Sequence, residues 1–173
     1  MLRQLREKQR RRQGLSASTQ GGVRSGSAAG FYSSSIRIEE SIEIACSPEA
    51  LWETVFDPLN DPHWCPKVKS VRASGDKRWI VTHKPVPLRP PMEMMVEQLE
   101  VVPPRQLKLR EEDEASSFEI EYRLRATDTG TRFTQISEFE WKRLPRFLHR
   151  MFERGVRRDV RNQLRALKRL LED

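Results

Sequence analysis

The chain has 173 residues, of which 36% are apolar, and a formal net charge of +7. This length is enough for one domain with a spare segment at one end. The two cysteines, Cys46 and Cys65, fit no metal or disulfide spacing, which favours a reducing compartment. No stretch approaches the roughly 18 apolar residues of a membrane span, and the N-terminus lacks the apolar core of a secretory signal. We therefore expect a soluble, cytoplasmic protein.

The positive charge is distributed unevenly along the chain. Residues 1–30 carry a net charge of +6, residues 31–141 carry −6, and residues 142–173 carry +7. A single basic surface therefore does not describe the protein. The pattern is a basic tail, an acidic middle and a basic final segment.

The basic N-terminal segment, residues 1–34, is not predicted to belong to a fold. Arginines crowd its first part, and Gly, Ser, Ala and Thr dominate the rest up to Gly30. Since it has too few apolar side chains to offset the entropy of ordering, we predict a disordered basic tail. Two alternatives stay open: a basic arm that contacts anionic lipid or nucleic acid, and an organelle-targeting peptide.

Regular structure is predicted from residue 35 onward. Isoleucines of one parity between Ile36 and Ile44, with polar residues between them, indicate a half-buried strand. Ser47 is a good N-cap and Pro48 suits the first helical position, so a short helix follows, which Asp57-Pro58 ends. The proline-broken segment 60–66 predicts a turn or a second small helix.

Six further strands are predicted at short intervals. They span Val68–Ala73, Lys77–His83, Met92–Val102, Arg105–Arg110, Phe118–Ala126 and Thr131–Trp141. Such short connections indicate a mostly antiparallel sheet.

The last segment changes its period from two residues to three and four. Apolar residues recur in this way from Leu144 to Leu171, with arginines on the other faces, which predicts an amphipathic helix of roughly 28 residues. Gly155 lies in its middle and costs about 1 kcal/mol relative to alanine. We therefore predict an α+β helix-grip fold: a curved seven-stranded antiparallel sheet around a long C-terminal helix, with one or two short helices after the first strand. A sheet that grips a helix leaves a space between them, where a ligand would bind.

Three motifs carry a family resemblance. Ser-Pro-Glu-Ala-Leu-Trp at 47–52, then Asp57-Pro58, Trp64 and Val68–Val71, resemble the opening of SRPBCC (START-like) proteins, and in particular their polyketide cyclase/dehydrase and lipid-transport group. The closing residues 164–172 are similar to the last helix of that family. The resemblance covers about 36–173 and implies one START-like domain, residues 35–173, with an elongated cavity. It does not imply one reaction, because the superfamily includes lipid carriers, hormone receptors, aromatase/cyclases and proteins with no known ligand.

Side-chain parity along the strands provides candidate pocket residues. If the aromatic residues of the last strand point inward, Gln135 and Ser137 do too, and buried polar groups need partners from the backbone, from water or from a ligand. Met94 and its neighbours suit an adaptable apolar wall or an ordinary core. We predict that the ligand-binding residues are His83, Tyr122, Gln135, Ser137, Trp79, Met94, Phe133, Phe139 and Phe152.

Signals of catalysis are weak. His63, His83 and His149 lie on three different predicted elements without metal spacing, and no nucleophile-elbow or phosphate-loop glycine pattern occurs. We therefore predict no metal and no cofactor. An enzyme would need a general acid or base inside the pocket, and His83 and Tyr122 are the candidates.

Two functional hypotheses follow. The favoured one is binding or transport of a small hydrophobic ligand, such as a lipid, an isoprenoid or a polyketide-like molecule, in an internal cavity. The alternative is a cyclase/dehydrase-type enzyme that acts on an aromatic or polyketide-like substrate in the same cavity.

Other partners are less clearly indicated. The basic tail and the last helix suggest peripheral contact with an anionic membrane, with a solvated arginine face as the alternative. Nucleic acid is disfavoured, because the sheet lacks an aromatic and basic stacking platform and the acidic run 111–114 would repel phosphate. Monomer and homodimer both stay open.

Overall fold

The computed structural model describes residues 36–85, 91–114, 116–141 and 149–173, with the backbone only for Glu140, Trp141 and His149. The predicted basic tail over residues 1–34 and the predicted helix start at Leu144 lie outside the described residues. None of the helices in these ranges has both the length and the apolar character needed to cross a membrane.

The elements follow one another in the predicted order. They are β1 (Ile36–Ile44), α1 (Pro48–Val55), a 3-10 turn (Pro58–Asn60), α2 (Asp61–Trp64), β2 (Val68–Gly75), β3 (Arg78–His83), β4 (Glu93–Val102), β5 (Gln106–Glu112), β6 (Ser116–Thr127), β7 (Gly130–Trp141) and α3 (His149–Glu172). Most strand ends differ from the prediction by one or two residues. One difference matters for the site: β5 continues past its predicted end at Arg110 to Glu112.

The strands form one seven-stranded sheet in the order β1-β7-β6-β5-β4-β3-β2. Every neighbouring pair is antiparallel. The first strand pairs with the last along its whole length, from Ile36 opposite Phe139 to Ile44 opposite Thr131. A bulge between Gln98 and Glu100 in β4 adds local bending and twist. The predicted helix-grip fold, with its seven strands and long C-terminal helix, is confirmed.

The two faces of the sheet differ in composition. Leu107, Ile120 and Phe133 are buried on the concave face, as part of one continuous apolar core. The convex face carries ion pairs between neighbouring strands, such as Arg78 Nη2 to Glu97 Oε1 at 2.8 Å. Exposed pairs of this kind contribute about 0–1 kcal/mol each, so the concave core supplies most of the stabilisation.

Two short helices cover one end of the concave face. Ser47 Oγ accepts a hydrogen bond from the Ala50 N–H at 3.2 Å and thereby caps α1 as predicted. Trp64 of α2 is buried and meets the ring of Tyr122 edge-on, with 6.1 Å between centroids. The Tyr122 ring in turn lies 5.3 Å from that of Phe133. Aromatic packing therefore fills this end of the concave face.

The long helix α3 lies against the concave face along β1. Val160 and Leu164 are buried in the core. Near the C-terminal end of α3, Lys168 Nζ donates to the Glu43 carbonyl oxygen at 2.8 Å. Apolar burial and polar contacts thus hold the helix to the first strand.

Candidate functional site

A cavity of about 530 Å³ lies between the concave face of the sheet and the first half of α3. Its apolar wall is formed by Met94, Phe118, Ile120, Phe139, Phe152, Val156 and Val160, among others. The rings of Phe118 and Phe139 meet edge-on, with 5.0 Å between centroids. A volume of several hundred Å³ with mainly apolar walls is typical of small-molecule sites.

The lining of this cavity also contains polar and charged side chains. They are Lys67, His83, Lys84, Glu111, Gln135, Ser137, Asp159 and Gln163. Gln135 and Ser137 belong to β7, whereas His83 ends β3 near the opposite edge of the sheet. A ligand that reaches from β7 to β3 would therefore meet polar groups on both of these strands.

A wider groove of about 680 Å³ lies where β6 extends beyond the start of β5. Its wall includes Arg105, Arg123 and Arg125, all exposed to solvent. This groove offers little buried apolar surface, so the concave cavity is the better candidate site.

Six of the nine predicted ligand-binding residues line the cavity, namely His83, Met94, Gln135, Ser137, Phe139 and Phe152. Trp79, Tyr122 and Phe133 are not among its lining residues. Tyr122 and Phe133 are buried at the end that Trp64 fills, and Trp79 packs half-buried against the core from β3. Parity identifies the inward face of each strand but not the part of that face that α1 and α2 cover. Participation of these residues in ligand binding stays a prediction.

Gln135 and Ser137 form a polar pair within the apolar wall. The two residues are only 3% and 2% exposed. Gln135 Nε2 donates to Ser137 Oγ at 3.3 Å, while Gln135 Oε1 has no hydrogen-bond partner among the described residues. An unsatisfied buried acceptor costs about 1–3 kcal/mol. A donor on a bound molecule would remove this cost.

His83 reaches the cavity from the end of β3. Burial lowers the pKa of its imidazole, and the charge of Lys67 lowers it further against the opposing effect of Asp113, to about 4. The ring is therefore neutral at neutral pH. Its Nε2 is buried and makes no hydrogen bond within the part of the chain that the structure describes. His83 thus contributes a neutral imidazole to the cavity lining, with its Nε2 covered by surrounding atoms.

The sequence analysis missed all four charged residues of the cavity lining, which are Lys67, Lys84, Glu111 and Asp159. Because β5 continues to Glu112, Glu111 follows Leu107 and Leu109 on the inward face. Extending the alternation of these leucines by two residues would have found it. Lys67 precedes β2, and no pattern marks it as inward-facing.

Lys67 keeps its positive charge in the cavity. Lys67 as a whole residue is exposed, but desolvation at the cavity wall would by itself lower the pKa of its ammonium group. Nearby groups outweigh this effect, with Glu111 first and Asp159 and Asp61 among the others. Its pKa therefore lies above the ordinary value, and the amine is protonated at neutral pH. A protonated amine is a poor nucleophile, so the raised pKa disfavours Schiff-base chemistry at this residue.

A group of buried titratable residues lies near Lys67 and Glu111. Burial raises the pKa of Asp61 well above its usual range, and Glu111 raises it further. Burial likewise raises the pKa of Cys65 to about 12 and that of Tyr122 well above 10. Neither Cys65 nor Tyr122 is therefore ionised at neutral pH. Within the described ranges, no three His, Cys, Asp or Glu side chains are arranged to hold a metal ion.

The sheet, the long helix and the apolar cavity between them define the helix-grip, START-like class of proteins. The sequence model of one family, polyketide cyclase / dehydrase and lipid transport, matches residues 35–172. The chain therefore belongs to this family. A search of curated proteins finds no match to this chain.

Solved structures share the fold at low sequence identity. A START superfamily protein from Mycobacterium smegmatis is 14% identical, with a TM-score of 0.66 over 79% of this chain and 97% of that one. The Zhui aromatase/cyclase from Streptomyces sp. R1128 is 16% identical, with a TM-score of 0.65 over 80% and 94% of the two chains. Protein CV1439 from Chromobacterium violaceum is 17% identical, with a TM-score of 0.64 over 79% and 98%. At these identities the likeness establishes the fold.

Proposed function

We propose that this protein binds a small, largely apolar molecule in the cavity and acts as a carrier or receptor for it. The observation that carries the proposal is a space of about 530 Å³ walled mainly by apolar side chains, several of them aromatic. Each 100 Å² of apolar ligand surface removed from water there would contribute about 2.5 kcal/mol. Binding would thus be driven by desolvation.

The polar lining favours a ligand with a neutral polar group such as a hydroxyl. Lys67 and Lys84 are balanced by Glu111 and Asp159, so the lining selects neither an anion nor a cation by net charge. Burying an ionic group without a dedicated partner is costly. A hydroxyl, by contrast, would donate to Gln135 Oε1 after a rotation of this side chain that brings the buried atom to the cavity surface.

The alternative, a cyclase or dehydrase acting in the same cavity, has weaker support. It is favoured by the shared fold of an aromatase/cyclase. General acid–base catalysis, however, is most effective when the pKa of the catalytic group lies near the working pH. His83, with a pKa of about 4, is a weak base, and Tyr122 does not line the cavity. We therefore favour a carrier.

A displacement titration tests this proposal. The neutral fluorophore N-phenylnaphthylamine would be bound first and then displaced by naphthalene, naphthol or naphthoate, which share one ring system and differ in their polar group. We expect naphthol to displace it best, about five-fold better than naphthalene, which corresponds to one net hydrogen bond of about 1 kcal/mol. Failure of all three to compete, with no uptake of the fluorophore, would contradict a ligand-binding role.

Gln135→Leu is the matched variant for the polar contact. It should abolish the advantage of naphthol over naphthalene and leave the affinity for naphthalene within about two-fold. If naphthoate bound best instead, an ionic head group would replace the hydroxyl in the proposal. Native mass spectrometry of protein purified from its own host would then identify the natural ligand by its mass.

A further inference from the structure

We propose that the mouth of the cavity is a docking surface for an anionic lipid bilayer. The mouth consists of the cavity-lining residues that are exposed to solvent: Lys67, Lys84, Pro91, Met92, Met151 and Asp159. These residues come from opposite sides of the opening, since Met151 lies on α3 and Met92 immediately precedes β4. The surface is therefore a product of the tertiary fold.

Exposed apolar side chains border this opening. Met151 is 61% exposed and Met92 is 37% exposed, although both also line the cavity. Large apolar side chains grouped on a surface mark interaction sites more often than they mark ordinary solvent contact. Methionine is flexible and polarizable, so it adapts to a disordered hydrocarbon environment. These two residues supply the apolar contact that an interfacial site requires.

Positive charge surrounds the two methionines. Lys67 and Lys84 belong to the mouth itself. On α3, an arginine row continues from it, formed by the exposed residues Arg150, Arg154 and Arg158. Arg154 and Arg158 lie three and seven residues after Met151 and share its helix face. Asp159 is the acidic residue of the mouth, and its Oδ1 lies 4.0 Å from Arg158 Nε. Counted together with Glu111 of the cavity lining, these residues carry five positive and two negative charges, and the excess comes from the arginine row.

An apolar centre with a basic border is complementary to a bilayer that contains anionic lipids. Each Lys or Arg near such a surface strengthens binding by about five-fold. Nucleic acid would pair with the arginines but would leave the methionines in water, and an acidic protein would need a matching apolar patch to cover them, which favours the bilayer. If the proposed function is also correct, a ligand leaving through this mouth would pass directly into hydrocarbon.

Co-sedimentation of the full chain with lipid vesicles tests the docking. Vesicles of phosphatidylcholine alone would be compared with vesicles that also contain about 30% phosphatidylserine. We expect binding to the anionic vesicles, weakened by added salt because the attraction between exposed charges is screened. No binding of the full chain to anionic vesicles would overturn the proposal.

Two double variants on α3 test whether vesicle binding depends on the arginines beside the mouth or on basic charge anywhere along the helix. The variant Arg154→Gln/Arg158→Gln changes the arginine row, and Arg165→Gln/Arg169→Gln removes the same charge about 16 Å further along α3. All four residues are exposed. We expect vesicle binding to fall about 25-fold in the first variant and less than about three-fold in the second. Equal losses would contradict docking through the mouth.

Neutral variants test the apolar contact in the same way. Met92→Gln/Met151→Gln should weaken vesicle binding at least about five-fold. The control, Met95→Gln/Leu170→Gln, changes two side chains that are 39% and 47% exposed but do not line the cavity, and it should leave binding unchanged. Binding that is indifferent to the mouth methionines and fully competed by polyglutamate would instead indicate an acidic protein partner and overturn the proposal.

The proposed ligand binding and the proposed docking to a bilayer can be tested independently. Displacement of N-phenylnaphthylamine is measured without vesicles, and the arginine-row variant should leave it unchanged. A protein that binds vesicles through the mouth but takes up no fluorophore would retain the docking surface and lose the proposed ligand function. The reverse result would leave the ligand function intact and reject the docking.

Discussion

Arg157 Nη1 donates a hydrogen bond to Glu40 Oε1 at 2.6 Å, on the concave side of the sheet. Arg161 Nε donates to the second carboxylate oxygen at 2.9 Å. Glu40 lies between Ile38 and Ile42 on the inward-facing side of β1, and its side chain is only 12% exposed. A largely buried charge among apolar side chains costs folding free energy unless an opposite charge pairs with it. The two arginines therefore make this glutamate an anchor between β1 and α3.

Replacing this anchor should destabilise the fold. We expect Glu40→Gln to lower the free energy of unfolding by about 1–3 kcal/mol, because the charged hydrogen bonds to both guanidinium groups are lost. Urea denaturation would measure the change. Glu138→Gln is the matched control on the convex face, where Glu138 is 53% exposed and pairs with Arg37 at 3.3 Å. It should cost less than about 1 kcal/mol.

The effect of Glu40 should depend on pH. Burial raises the pKa of this carboxyl, but the hydrogen bonds and charges of Arg161 and Arg157 outweigh it and place the pKa below the ordinary 4.5. The group therefore contributes its stability above pH 4.5 and loses it as the pH falls through the folded-state pKa. The stability gap between wild type and Glu40→Gln should accordingly narrow in acid. A gap that stays constant from pH 7 to about pH 3 would contradict the ion-pair account.

Filling the cavity from α3 should block the ligand without loss of stability. A Cβ added at Gly155, which lines the cavity, would meet no atom within 4 Å. We expect Gly155→Leu to lower the affinity for N-phenylnaphthylamine about ten-fold, since its side chain would occupy ligand space. Gly155→Ala is the control: it should keep the affinity and raise helix stability by up to about 1 kcal/mol. Unchanged affinity in the leucine variant would show that ligands bind elsewhere.

The imidazole of His83 should stay neutral over the physiological pH range. Its pKa is lowered from 6.5 to about 4, first by burial and then by Lys67. Between these two values the unfolded chain binds more protons than the folded one, so this group makes stability rise with pH across that window. NMR titration of the ring protons would measure the pKa, and a midpoint near 6.5 would refute it.

His83→Ala distinguishes carrier from enzyme. Under the carrier proposal, it should leave the affinity for N-phenylnaphthylamine within a few-fold, since His83 is one polar group in a mostly apolar lining. An enzyme that used His83 as its general base would lose turnover instead. Loss of a measurable reaction in this variant, with ligand affinity retained, would therefore favour the cyclase or dehydrase alternative.

Asp61 should oppose folding at neutral pH. Burial and the charge of Glu111 raise its folded-state pKa. Ionisation of Asp61 therefore costs more free energy in the folded chain than in the unfolded chain. The stability of the fold is unaffected by this cost below the ordinary pKa of 3.8 and decreases as the pH rises through the folded-state pKa. Asp61→Asn keeps the shape and removes this charge. We expect the variant to be more stable than wild type at pH 7 and equal to it in acid, as measured by urea denaturation at both pH values. A destabilised variant at pH 7 would show that the ionised carboxylate makes a favourable contact.

Local sequence signals were sufficient for most of the fold. The Ser47 cap, the alternation in β6 and β7, and the period change before α3 each depend on residues close together in the chain. The same alternation placed Gln135 and Ser137 on the inward face, where both are buried. Ile136 shows the limit of this reasoning: it points to the convex face and is nevertheless buried. Its direct neighbours in the sheet are the charged residues Glu39 on β1 and Glu121 on β6.

The sequence by itself determined the order of the elements and the face that each one turns inward, because helix and strand periodicities are properties of neighbouring residues. Only the tertiary structure decided which part of the concave face stays open. Trp64 fills the end that holds Tyr122 and Phe133, while Gly155 leaves room at the other. It also decided that Lys67 and Glu111 share that open space, since packing brings together side chains that are far apart in the chain.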